Sequence, residues 1–337
     1  SMVLDVLVGE GDFSRAVAKS SENSRVVAGE ILASDTIKII TWEANDLTDL
    51  SFKIEYSTDS GTNWNEIVSN LGSTIREYSW TVPNVGSKDC LIRVTAIDIV
   101  GHSSSDTSDA PFTIDASSPV VVVNHPSSGE HLAGGTSYKI TWTASDLTEL
   151  SFKVEYSTGE TWSEIVSGLG SAVREYFWSV PKIDSKDCLI RITAKDQANH
   201  VTEVMSATFT IDSTVPQISN VLFNGQPLGP DKIISNKPII SATITDDKGI
   251  DAGSINLTID GRNESLQCSA ATIQSVSGYS ISCKVEEALS SGTHTVRISA
   301  KDISGNEVVW EENELKVESG EVKIVTPVIN YPNPFNP

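Results

Sequence analysis

Residues 29–115 and 129–212 are one sequence written twice. Gly29-Glu30-Ile31-Leu32-Ala33 answers Gly129-Glu130-His131-Leu132-Ala133, and Asp46-Leu47-Thr48 answers Asp146-Leu147-Thr148. Arg76-Glu77-Tyr78 answers Arg174-Glu175-Tyr176, and Lys88-Asp89-Cys90-Leu91-Ile92-Arg93 answers Lys186-Asp187-Cys188-Leu189-Ile190-Arg191. About 51 of about 84 aligned positions are identical, and tandem copies of one small unit are how chains build arrays, stalks and binding surfaces. Duplication is an unusual route to a single active site, so the repeat constrains function as well as fold.

The 337 residues leave room for a third unit after Pro216, and each unit is long enough to bury its own core. The expected boundaries are 1–115, with 1–28 as a lead segment, then 116–212, 213–326 and a Pro-rich linker at 327–337. Helix signals are almost absent. Short alternating runs recur instead: Ile37–Trp42, Ser51–Ser57, Trp64–Val68, Glu77–Val82, Leu91–Ile97 and Pro111–Ile114. In Leu91–Ile97 one face holds Ile92, Val94 and Ala96 while Arg93 and Thr95 point the other way, as in a half-buried strand. The third unit adds Ile239–Ile244, Ile255–Ile259, Tyr279–Val285, Thr293–Ala300 and Val308–Trp310, with Asp260-Gly261 as a hairpin signal. The predicted fold class is all-β: three tandem immunoglobulin/fibronectin III-like β-sandwiches. Asp115–Pro119 and Asp212–Pro216 are short, polar and closed by proline, which favours a stiff, extended rod.

A net charge of −21 argues against nucleic-acid binding, which needs clustered Lys and Arg, and against docking on anionic membranes. It fits a soluble secreted protein or one that binds cations. No run approaches a membrane span, so neither nucleic acid nor membrane insertion is expected, and the chain is expected to be a monomer. Ser1-Met2 reads as an expression scar, so natural targeting information is expected upstream.

Cys90 and Cys188 occupy the same place in the two repeats and read as buried thiols. Cys268 and Cys283 flank Ser277-Gly278-Tyr279 on two neighbouring strands. They admit either a disulfide, which implies an oxidising compartment, or two separate thiols.

Candidate chemistry is sparse. No Ser-His-Asp order, HExxH or Gly-rich phosphate loop is present, and the chain is not expected to be an enzyme. Asp246-Asp247 and Glu286-Glu287 read as solvated acidic pairs. His102 and His200 are repeat-equivalent and read as a surface feature. No cofactor is required, with calcium as the one candidate ion. Asp98 and Asp115 are expected near one pole of the first sandwich, Asp196 and Asp212 near one pole of the second, with Asp302 following a strand in the third. Hard oxygen ligands at a module junction suit Ca²⁺; turn formation by aspartate is the competing explanation. Phe177, between Tyr176 and Trp178, could present an aromatic ring to a sugar. Asn256-Leu257-Thr258 and Asn263-Glu264-Ser265 are glycosylation sequons.

Several motifs resemble known families. The repeat, with Ile140-Thr141-Trp142 and Tyr156-Ser157-Thr158, resembles fibronectin type III/immunoglobulin-like repeats of large bacterial surface proteins. Cys90 stands where that family usually carries a tyrosine. The third unit is similar to bacterial immunoglobulin-like domains with Asp302-Ile303-Ser304-Gly305-Asn306 after a strand. Ser57–Trp64 resembles the Asp-box hairpin of sialidase propellers, a structural element in that family. Tyr331-Pro332-Asn333-Pro334-Phe335-Asn336-Pro337 resembles the opening of the C-terminal sorting domain of type IX-secreted proteins. These resemblances imply a non-catalytic spacer or adhesive stalk, extracellular or on a bacterial cell surface, meeting a cell-surface glycan or protein. The alternative is an accessory carbohydrate-binding or positioning region of a secreted hydrolase.

Overall fold

A computed structural model describes residues 5–7, 29–45, 49–262, 266–272 and 277–318. The Tyr331–Pro337 motif, the sequon at 263–265, the Asp46–Thr48 copy of the repeat motif and most of the lead segment lie outside those residues. The described residues contain strands and turns and no helix. They fall into two compact units, bounded by Ser1–Ser128, Lys139–Trp178 and Asp187–Thr208 for one, and by Gly129–Tyr138, Ser179–Lys186 and Phe209–Pro337 for the other.

In the first unit, Ile31–Ala33 runs parallel to Phe112–Asp115, which lies antiparallel to Ser87–Asp98. Ser87–Asp98 pairs in turn with Leu50–Ser57 and Ser103–Thr107, and Leu50–Ser57 pairs with Asn65–Leu71. Ile37–Thr41 and Glu77–Thr81 form the opposing layer. Asp5–Leu7 runs parallel to Glu43–Asn45. The alternation read from the sequence decides what lies between the layers: Ile92, Val94 and Ala96 are fully buried, together with Cys90, Phe52, Ile54 and Phe112. Trp42 meets Phe52 edge-on at 5.3 Å, and Trp80 meets Phe112 at 6.4 Å, separations at which aromatic pairs attract.

The Arg-Glu-Tyr motif has a packing reason. The Arg76 guanidinium lies 4.9 Å from the Phe52 ring centre and donates to the carbonyls of Ser73, Ile75 and Ala44. Arg174 does the same over Phe152 at 5.1 Å, donating to Ser171, Val173 and Ala144. Within this unit the second repeat pairs Ser151–Ser157 with Trp162–Leu169 and Ser185–Lys195, in the register of its copy.

In the second unit, His131–Ala133 runs parallel to Phe209–Asp212, matching the parallel pair of the first repeat. The third sandwich has one sheet of Gln217–Phe223, Ile239–Thr245, Gly278–Val285 and Leu266–Thr272, and another of Ile250–Ile259, Gly292–Asp302 and Glu307–Val317. Ile240, Ile244, Val296, Ile298 and Leu315 form its core. Asp260 and Gly261 both take positive φ, 51° and 76°, and the amides of Ile259 and Arg262 bond across them. That is a two-residue turn, and glycine is what makes its second position inexpensive. Cys268 and Cys283 sit opposite each other on adjacent strands and are joined by a disulfide. Cys90 and Cys188 are buried thiols, and burial pushes the Cys90 thiol pKa up.

Candidate cation sites

The sequence places Asp98 and Asp115 at one pole, and the strand register corrects this. Phe112–Asp115 lies antiparallel to Ser87–Asp98, with Ile114 opposite Ser87. Asp98 therefore closes the far end of that strand, about 35 Å from the Ser87 end at roughly 3.3 Å per residue. Asp115 instead meets two loops of the second repeat.

One donor atom each from Asp115, Asp196 and His200 lies within 4.8 Å of the other two. Asp115 is the last residue of its strand and is fully buried, and Asp196 is 5% exposed. Asp196 opens a five-residue loop in which Oδ1 accepts the His200 amide at 2.8 Å and Oδ2 meets His200 Nδ1 at 2.8 Å. Asp115 Oδ1 accepts the amide and hydroxyl of Ser117 at 3.1 and 2.9 Å. Its Oδ2 takes the Thr148 hydroxyl at 3.0 Å, and the same hydroxyl lies 3.1 Å from Asp146 Oδ2. A hydroxyl has one proton, so it can satisfy only one of the two carboxylates at a time. Asp146 Oδ1 is buried and accepts no hydrogen bond. Burial raises the Asp146 pKa, and the Asp115 and Asp196 charges raise it further. Burial pushes the Asp115 carboxyl the same way, but the donors on Ser117 and Thr148 outweigh it and hold that pKa below its usual value.

The second unit holds a counterpart built by the same elements. Asp212, Asp246 and Asp302 each place one oxygen within 4.8 Å of the others. Asp212 ends the strand equivalent to that of Asp115 and is fully buried, while Asp302 is 2% exposed. Asp302 Oδ1 accepts the amides of Ser304 and Asn306 at 2.8 and 2.9 Å, the loop geometry of Asp196. Ser304 Oγ donates to Asp212 Oδ2 at 3.1 Å, and Asn306 Nδ2 donates to the Asp212 carbonyl at 3.0 Å. Asp246 Oδ1 accepts the amides of Lys248 and Gly249, while its Oδ2 is buried and accepts nothing. Burial raises the Asp212 pKa, and the Asp302 charge adds to it. Lys248 hydrogen-bonds Asp247, and the carboxylates of Asp247, Asp212 and Asp184 raise its pKa.

Three residues were not singled out as ligands from sequence. Asp146 follows Ser137–Ser145 and Asp246 follows Ile239–Thr245. They are the same position in successive sandwiches, and the repeated Asp-Leu-Thr was the available signal for Asp146. Asp246 is thus half-buried in a cluster and does not belong to a solvated pair. His200 lies inside a cluster as well. Asp98 builds the same loop, with Oδ1 accepting the amides of Val100 and His102, but joins no such cluster among the described residues.

The Asp-box turn and its neighbours are held by internal contacts. In the Ser57–Trp64 turn, Asp59 accepts from Ser57 Oγ and from the amide and side chain of Asn63, and Trp64 Nε1 donates to the Gly61 carbonyl. Arg93 lies 4.1 Å from the Trp64 ring centre and forms an ion pair with Glu55 at 2.7 Å. Arg191, Trp162 and Glu155 repeat this. Phe177 is 65% exposed.

No family model and no curated protein matches this chain. Its solved structural neighbours are immunoglobulin and fibronectin III domain proteins. The eight N-terminal immunoglobulin domains of Down Syndrome Cell Adhesion Molecule align at 10% identity and a TM-score of 0.36, over 85% of this chain and 39% of that one. This chain thus spans well under half of that structure. The fibronectin(III)-like modules of Clostridium thermocellum CbhA align at 22% identity and 0.29, over 56% of this chain and 90% of theirs. A bacterial ice-binding adhesin, studied for host cell surface retention, aligns at 13% identity and 0.33, over 86% and 93%.

Proposed function

We propose that the chain is a non-catalytic extracellular module that spaces or presents an attached partner at a bacterial cell surface, with calcium bound where successive repeats meet. The observation that carries this reading is the fate of the strand-final aspartate. Asp115 leaves its own sandwich to meet Thr148 and Asp196 of the next, and Asp212 meets Ser304 and Asp302 in the same way. A divalent cation there would satisfy oxygens that the protein leaves without donors, and oxygen-rich clusters of this kind suit Ca²⁺. Three sandwiches from 1–115, 116–212 and 213–326 supply the spacer. Export by the type IX route, suggested by Tyr331–Pro337, completes the reading.

Calorimetric melting of the whole chain in calcium and in chelator tests it. Calcium is expected to raise the melting temperature. Identical melting in both, or glycosidase or peptidase turnover by the isolated chain, contradicts the reading. The accessory carbohydrate-binding alternative has the exposed Phe177 in its favour, and a glycan array with Phe177→Ala as control separates the two.

A further inference from the structure

The two clusters share a carboxylate frame and differ in what else enters it. His200 in the first stands where the second has Asn306, and Thr148 stands where the second has Lys248. The Asn306 amide nitrogen is spent on three acceptors: the Asp212 carbonyl, the Thr214 carbonyl and Asp302 Oδ2. It leaves the second cluster with oxygen donors only. The imidazole of His200 has one contact of this kind, to Asp196 Oδ2, and one of its nitrogens lies within the 4.8 Å set formed with Asp115 and Asp196. Lys248, 14% exposed, pairs with Asp247 beside the second cluster, near enough to Asp212 for that charge to act on its ammonium; the uncharged Thr148 brings a hydroxyl that two carboxylates must share.

We propose that the Asp115–Asp146–Asp196–His200 cluster is a mixed nitrogen–oxygen site for a borderline divalent ion of the zinc class, distinct from the oxygen-only, calcium-class cluster at Asp212, Asp246 and Asp302. Imidazole selects zinc-like ions, whereas sets made only of carboxylates suit calcium. Asp146 adds a further carboxylate beside them: it shares the Thr148 hydroxyl with Asp115, and its Oδ1 is buried without a donor. Lys248 competes with a cation in the second cluster and weakens it. The proposal refines the reading of these clusters as cation sites and rests on it.

The test is isothermal titration of the chelator-stripped chain with zinc chloride and, separately, with calcium chloride. One tight zinc equivalent is expected. His200→Asn should weaken it roughly tenfold or more, since ligand loss costs at least as much as loss of a supporting partner. That change should leave calcium binding in place. It installs the residue the third sandwich already uses, so the fold should persist. His102→Asn, in the matching loop of the first repeat, should leave the zinc equivalent intact, and Lys248→Thr should tighten calcium binding. Zinc affinity unchanged in His200→Asn, or lost in His102→Asn, overturns the proposal. Calcium bound at both clusters with no tight zinc site also overturns it, while leaving the proposed function standing. Tight zinc with no calcium at all contradicts the proposed function and the calcium assignment of the second cluster.

Discussion

The first and second carboxylate clusters are built by the same three elements: a strand-final aspartate, an aspartate just after a strand of the following sandwich, and an aspartate opening a five-residue loop. The backbone placement is duplicated, yet the groups able to neutralise the carboxylates differ: His200 and Thr148 on one side, Asn306 and Lys248 on the other. Fold duplication therefore fixed where the charges meet, and individual side chains decide how they are compensated. Buried like charges within a few ångströms cannot all remain ionised without a cation or a proton, so those few positions set the chemistry.

The largest effect that sharpens this comparison lies in the strands that deliver the aspartates. Phe112 and Phe209 are both fully packed, each three residues before Asp115 or Asp212 in the shared Phe-Thr-Ile-Asp strand. Alanine at either should cost about 3–5 kcal/mol in urea unfolding. Each should also lower cation affinity at its own cluster; a loss at both clusters from one substitution would break the idea that they are separate sites.

Next comes the ion. The matching cation, zinc at the first cluster and calcium at the second, should add about 2.7 kcal/mol of stability per site when present at about a hundred times its dissociation constant. Asp196→Asn is expected to remove the contribution of the first cluster. Asp98→Asn, in the same loop without a cluster, should change stability by less than about 0.5 kcal/mol and leave calcium binding intact. Equal losses in the two variants would mean that these aspartates only hold turns.

A smaller effect separates the clusters from the ion pairs on the sheet. Burial pushes the Glu55 pKa up, but Lys53 and Arg93 outweigh it and hold the pKa below its ordinary value. A depressed folded pKa contributes stability above the unfolded carboxylate pKa, and that stability is lost as pH falls through the folded one. Glu55→Gln should cost roughly 1 kcal/mol at neutral pH and should flatten the acid limb of the stability curve. Glu155→Gln should match it, because Lys153 and Arg191 repeat the arrangement. The smallest expected effect is Phe177→Ala, an exposed position occupied by Ser79 in the first repeat, at under about 0.5 kcal/mol.

Much of the fold was legible in the residues. Alternation in Leu91–Ile97 marked the face that is buried, and Asp260-Gly261 marked a two-residue turn. The sites were legible only in part. Asp115, Asp196, Asp212 and Asp302 stood out because they end or follow strands. Periodicity tells which face a side chain takes but not which end of the sandwich it reaches, so Asp98 was grouped with Asp115 although antiparallel pairing carries them apart. Asp146, Asp246 and His200 escaped notice because their partners are about 30 to 85 residues away in sequence, and only strand register brings such groups together.

A crystal of the whole chain grown in calcium and zinc, with anomalous scattering measured at both clusters on either side of the zinc edge, tests the central claim most directly. Zinc joining Asp115 to Asp196, and calcium joining Asp212 to Asp302, is the expected result. Carboxylates bridged only by protons or water, in a chain whose melting ignores calcium, would contradict it.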